Sequence, residues 1–205
     1  MALKVFQSSG RGDAAKISQG INYARIKGAT VINMSFGSYS RSITMESALA
    51  NAYASCVLVA AAGNDARDIG DCLGAPFYPA ALSFVLGVMA PDGSFSNFDC
   101  TGPTYSLSAE LNNYEMKAPG TNILSTIPNG NYRVYQGTSM AAPILAASLA
   151  MYKTLFPTQS QEMMWVKFIQ STGMFFNLDS AIHCIPHPEI RIISRTLVDL
   201  SLIHI

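Results

Sequence analysis

The sequence predicts an α/β fold, a parallel β-sheet with helices on both faces. Two short apolar runs, the first of them β-branched, at 30–37 and 56–64, stop at or just after Gly37 and Gly63, as buried strands do. Segments with helical apolar spacing precede and separate them. A strand–helix–strand–helix–strand order calls for crossover connections, and these join parallel strands.

The elements follow in order. "DAAKISQGINYARIKGA" (13–29) places Ile17, Ile21, Ala24 and Ile26 at helical spacing, with Asp13 as its N-cap and Gly28 as its stop. "TVINMSFG" (30–37) is the first strand. "SITMESALANAYAS" (42–55) is a second helix capped by Ser42 or Thr44. "CVLVAAAGN" (56–64) and "LSFVLGVMA" (82–90) are two more buried strands, joined by the loop "GDCLGAPFYPA". "NYEMKAPGTNILSTI" (113–127) carries short strands broken at Pro119-Gly120. "NYRVYQG" (131–137) leads into a helix from about Ser139 to Phe156, and a further helix spans 160–173 between Ser160 and Gly173. Residues 1–185 form one partial domain. The tail at 186–205 alternates weakly, as the start of a truncated β-rich domain would.

Composition excludes several classes of function. Thirteen Lys and Arg balance thirteen Asp and Glu, so no basic face marks nucleic acid. No apolar run reaches the roughly 18 residues of a membrane span, and "MALKVF" is no export signal. Only 13% of residues are charged, which suits a large core or an absent partner surface. Four cysteines, Cys56, Cys72, Cys100 and Cys184, follow no metal-ligand spacing. Cys56 opens a strand and is expected to be a buried free thiol. Cys72 and Cys100 lie in loop-like sequence and could pair. Asp65, Asp68 and Asp71 recur every third residue. A solvated polar loop and a structural calcium site are both open readings of them.

The chemistry centres on "YQGTSMAAP" (135–143). Ser139 stands at the start of a helix apolar almost all round, with Pro143 near the beginning, where a missing N–H costs little. Backbone N–H groups and the helix dipole there favour developing negative charge, so Ser139 is placed as a nucleophile; it could also be only an N-cap. Asn64 follows a buried strand and a glycine. Its amide could donate to an oxyanion, or Asn64-Asp65 could be a plain turn. "SFG" (35–37) could offer backbone to an extended peptide, and "GRG" (10–12) could line the other side of the same groove.

These motifs together resemble the subtilisin-like serine peptidases, the subtilases. "GTSMAAP" resembles the family's nucleophile motif. "INYARIKGATVINMSFGS" resembles the family's helix and strand that end in one wall of the specificity pocket, "VLVAAAGND" the strand that carries the oxyanion asparagine, and "FYPAALSFVLGVMA" the pocket-base segment, while "GSFSNFD" and "MKAPGTNILST" resemble the run leading to the serine, all in the family's order. The resemblance covers about residues 3–180. It implies that Ser139 attacks the scissile carbonyl, and that Asn64 and the Ser139 backbone N–H hold the oxyanion. It makes Ser35, Phe36 and Gly37 one wall of the groove and Ala61, Ala62 and Gly63 another, and it pairs Gly10, Arg11 and Gly12 with substrate backbone. The small second wall suggests a roomy pocket for large apolar side chains. Tyr78-Pro79 falls where the family has a cis proline. The substrate is a polypeptide, no cofactor is required, and the family's usual export and the four cysteines suggest an extracytoplasmic location.

The family's triad runs Asp, His, Ser, and no histidine occurs before His183. His183, His187 and His204 follow the serine helix and sit in no family motif. Asp13 and Asp65 lie beside binding loops and are poor substitutes for the triad Asp. The domain is therefore expected to be incomplete at its N-terminus, and the isolated chain inactive. Its base and orienting carboxylate would come from a preceding segment or a complementing chain. A non-catalytic peptide-binding protein is the alternative.

Overall fold

The structure is a computed structural model that describes residues 1–67, 76–90, 93–97, 116–160 and 163. Helix α1 (Ala14–Ile26) begins where the Asp13 carboxylate accepts the Ala15 N–H at 2.8 Å. It stops where Gly28 turns left-handed at φ +79°. Helix α2 (Ile43–Tyr53) begins at Ser42, whose Oγ accepts the Met45 N–H, so Ser42 and not Thr44 is the cap.

Four strands, β1 (Val31–Met34), β2 (Val57–Ala61), β3 (Leu86–Met89) and β4 (Met116–Lys117), form a parallel sheet in the order β1-β2-β3-β4. Alternate residues serve opposite faces. Ile32, Met34, Leu58 and Ala60 pack with Ile21, Met45 and Leu49 of α1 and α2. Val31, Val57, Val59, Leu86 and Val88 pack with Ala141, Ala142, Leu145 and Leu149 of helix α3 (Thr138–Leu155). Both faces are covered, as the apolar runs require. Each fully buried Leu or Ile side chain stabilises the fold by roughly 1.5–3 kcal/mol. Alanines on α3 let that helix lie close to the sheet, and this fixes where its N-terminus ends.

Cys56 is buried and free, as expected. Its thiol donates to the Ala29 carbonyl at 3.0 Å, and burial pushes its pKa up. The Tyr78-Pro79 bond is cis. One difference concerns 131–137, to which the sequence assigns no strand. Asn131–Tyr135 is strand β6, paired antiparallel with β5 (Ile123–Ile127) across Pro128, Asn129 and Gly130. Asn129 and Gly130 both have positive φ, so the turn sets this hairpin, and β6 is exposed along its length. Most of the helix expected at 160–173 and all of the 186–205 tail lie outside the described residues. The Met163 N–H meets Ser160 Oγ at 3.3 Å, as a cap at Ser160 would have it. Among the described residues no helix is long and apolar enough to cross a membrane.

Candidate active site

Ser139 is the second residue of α3, after Gly137 (φ +148°) and Thr138. Pro143 is the sixth residue of that helix, past the first turn whose N–H groups have no helical partner. Its missing N–H would have gone to the carbonyl four residues back, which is that of Ser139. Ser35 supplies the replacement: its Oγ donates to the Ser139 carbonyl at 2.8 Å. Ser139 Oγ in turn donates to the Ser35 carbonyl at 3.0 Å. Asn33, at the end of β1 and almost fully buried, donates Nδ2 to Ser35 Oγ at 3.0 Å. The segment after β1 is thereby tied to the start of α3.

Asn64 belongs to the turn after β2. Its Oδ1 accepts both the Thr138 N–H (2.8 Å) and the Thr138 hydroxyl (2.9 Å). A backbone N–H can only donate, so the atom facing it is the oxygen, and the amide orientation is fixed by chemistry. Thr138 Oγ1 also accepts the Gly63 N–H at 3.1 Å. Asn64 Nδ2 and the Ser139 N–H have no acceptor among the described residues. Both donors lie at the positive end of α3. A Cβ on Gly137 would stand 3.3 Å from Asn64 Nδ2, so the glycine keeps that donor uncovered.

A second amide holds the turn itself. Asn97 is fully buried. Its Oδ1 accepts the Asp65 and Arg67 N–H groups, each at 3.0 Å. Its Nδ2 donates to the Ala62 carbonyl (2.9 Å) and to Tyr39 Oη (3.1 Å). Every hydrogen-bonding position of the amide facing the turn is used. Tyr39 Oη donates to Asp65 Oδ2 at 2.7 Å. Burial first, and then this bond to Asp65, raise the Tyr39 pKa.

Ser35 and Phe36 are half-buried and Gly37 is exposed, but Ala61, Ala62 and Gly63 are all buried. Ala61 packs toward α3 and Ala62 toward α1 and α2. Gly63 is covered by Asn97 Nδ2 and by the ring of Phe77, whose Cε1 would lie 3.2 Å from a Cβ there. A Cβ on Gly37 would overlap the same Cε1. The ring of Phe77 therefore lies against both Gly37 and Gly63.

Gly10, Arg11 and Gly12 close a tight loop: Gly12 bridges Phe6, and the Arg11 carbonyl accepts the Gln7 N–H at 3.0 Å. The Phe6 ring meets the Phe36 ring edge-on at 5.0 Å, which brings this loop beside the first wall. Among the described residues no three His, Cys, Asp or Glu gather as metal ligands. Asp68, Asp71, Cys72, Cys100, Cys184, His183, His187 and His204 lie outside the described residues.

A model of the subtilase family matches residues 1–176. The chain belongs to the subtilase family. It is 37% identical to subtilisin DY of Bacillus licheniformis over 161 residues, 78% of this chain and 55% of that protein. It is 39% identical to an intracellular serine protease of Paenibacillus polymyxa over 76% of this chain and 45% of that one. Among solved structures, sphericase superposes with a TM-score of 0.71 at 27% identity, covering 82% of this chain and 58% of its own. The chain thus spans about half the length of the relatives it matches. Since one relative is by name intracellular, kinship does not fix a location outside the cell.

Within this subtilase, Ser139, Asn64 and Ser35 meet at one place. Thr138, Asn97, Tyr39 and Phe77 were not singled out from sequence. Thr138, Asn97 and Phe77 lie inside the family-like segments, and that was their only signal.

Proposed function

We propose that this chain supplies the nucleophile, the oxyanion donors and part of the peptide cleft of a serine endopeptidase acting through an acyl-enzyme. The observation that carries this reading is the pinning of Asn64 Oδ1 by Thr138, which leaves Asn64 Nδ2 and the Ser139 N–H as uncommitted donors beside Ser139 Oγ. In the reaction Ser139 Oγ forms a bond to the scissile carbonyl carbon, and negative charge collects on the carbonyl oxygen between those two donors. Collapse expels the amine and leaves an ester on Ser139, which water hydrolyses.

The hydroxyl proton needs a base. Ser139 Oγ donates to a backbone carbonyl, which accepts a hydrogen bond but does not take the proton away. The base and the carboxylate that orients it come, in this reading, from polypeptide outside these 205 residues, whether a further segment of the same protein or a complementing chain. The chain by itself then hydrolyses peptides negligibly. The chemistry needs no cofactor. The substrate is an extended polypeptide, and export would bring it within reach.

The test is to read the gene upstream of Met1 for in-frame Asp and His motifs. The extended protein, or the chain with its complementing partner, is then assayed on casein. Hydrolysis that disappears in Ser139→Ala is expected. Hydrolysis indifferent to Ser139 would overturn the reading. Peptide binding without hydrolysis in the completed protein, unchanged by Ser139→Ala, would favour a non-catalytic binder.

A further inference from the structure

We propose that Asn97 is a positioning residue that acts through Asn64: it holds the backbone on both sides of Asn64 and so aims Asn64 Nδ2 at the forming oxyanion. This rests on the serine peptidase reading above. Among the described residues Asn97 makes no hydrogen bond to Ser139 or to the Asn64 side chain. Its part lies in the two peptide planes that meet at the Asn64 Cα. The plane before Asn64 carries the Gly63 carbonyl, which accepts the Asn97 N–H at 3.0 Å. The plane after it carries the Asp65 N–H, which donates to Asn97 Oδ1 at 3.0 Å. With both planes held, the direction of the Asn64 Cα–Cβ bond is set. Thr138 then fixes the amide at the far end of the side chain.

The clamp is itself held. Oδ1 accepts a second N–H, that of Arg67, and Nδ2 donates to the Ala62 carbonyl and to Tyr39 Oη. An amide offers two donors and two acceptor positions, and all four are taken. The backbone of Asn97 is anchored to the end of β3, where Ser96 Oγ accepts the Ala90 N–H and donates to the Asn97 carbonyl. Two residues before Asn97, the Phe95 carbonyl accepts the Ala66 N–H at 2.8 Å. Gly63 leaves room for the amide, since a Cβ there would overlap Asn97 Nδ2. A donor that must meet developing charge within about 0.5 Å needs support of this kind.

An N-acetylated trialanine boronic acid tests this on the 205-residue chain. Boron binding needs no catalytic base at equilibrium. The Ser139 Oγ–boron bond forms, the hydroxyl proton passes to water, and boron turns from trigonal to a tetrahedral anion visible by boron NMR. Asn97→Ser, and Asn97→Ala as the fuller deletion, should weaken the adduct about tenfold, part of the roughly 10²–10³ that losing an oxyanion donor costs in turnover. In an Asn64→Ala background the same substitutions should change affinity less than about twofold, because no donor is left to aim. A loss of equal size with and without Asn64 would make Asn97 a support of the fold alone, and it overturns the proposal. So does unchanged affinity in a folded Asn97 variant.

A measurement on the unaltered chain needs no variant to fold. Linkage is reciprocal, so a clamp that favours the adduct is favoured by it. Hydrogen exchange at the Asp65 and Arg67 amides should slow about tenfold in the adduct, well beyond the amides of α1. No slowing at those two amides, or equal slowing throughout α1, overturns the proposal. Absence of any adduct that Ser139→Ala abolishes overturns the peptidase reading, and the proposal with it. That pattern is distinct from an adduct that forms and is indifferent to Asn97.

Discussion

Ser35 and Ser139 exchange hydrogen bonds, each hydroxyl donating to the other's backbone carbonyl, at 2.8 and 3.0 Å. Pro143 explains half of the exchange. Its missing N–H leaves the Ser139 carbonyl without a helical donor, and Ser35 takes that part.

Ser35→Ala should therefore destabilise the chain by about 1 kcal/mol, the low end of the cost of leaving a part-buried carbonyl unsatisfied. In a Pro143→Ala background the restored N–H reaches the same carbonyl, and Ser35→Ala should cost less. Urea midpoints of the four proteins form a double-mutant cycle. Additive effects would show that the two groups do not share this carbonyl.

Asn97→Ala removes the acceptor of two backbone N–H groups and the donor to the Ala62 carbonyl. The expected loss is at least about 2 kcal/mol in denaturant unfolding. Hydrogen exchange at the Asp65 and Arg67 amides should quicken first. Unchanged exchange there would contradict the assigned bonds.

Thr138→Val keeps the shape and deletes the hydroxyl that joins Gly63 to Asn64. A stability loss of about 1–3 kcal/mol is expected. A peptide boronic acid that bonds to Ser139 Oγ should also bind less tightly, because Asn64 is held by one bond instead of two. Thr138→Ser should restore both quantities most of the way. Equal behaviour of the Val and Ser variants would remove Thr138 from any role in aiming Asn64.

Tyr39 links the fold to alkaline pH. Its folded pKa is raised above the usual value of about 10, so the neutral phenol is favoured in the native state. The sign follows from linkage. The contribution is complete below pH about 10 and is lost as pH rises through the higher folded value. Tyr39→Phe should remove this component, leaving stability less dependent on pH above 10. A difference titration at 295 nm between the two proteins should show one tyrosine ionising late. A missing late step would rule the effect out.

Local signals carried most of the fold. The caps at Asp13 and Ser42, the stop at Gly28 and the buried runs that became β1, β2 and β3 all depend on neighbours within a few residues, so sequence reveals them. The β6 strand escaped because a turn at Asn129-Gly130 holds it, with no buried face to mark it. In the site, Ser139 and Asn64 were legible because each sits at a helix or strand end. Asn97 and Tyr39 were not, because their meaning lies in partners 26 to 58 residues away. Phe77 opens a segment that resembles the family's pocket base, but its place against Gly37 and Gly63 shows only in the fold.

The four-stranded sheet has a kinetic consequence. Its strands are all parallel, so no neighbouring pair is closed by a short turn. Each pairing must wait for the intervening chain to loop back, and the Ser35–Ser139 exchange spans 104 positions. Such distant contacts cost loop entropy before they contribute stability, which slows folding into the range of milliseconds to seconds. Ser139 should thus become reactive only in the last phase of refolding. A quenched-flow series trapping Ser139 with a peptide boronic acid would time the completion of the whole sheet rather than the appearance of one helix.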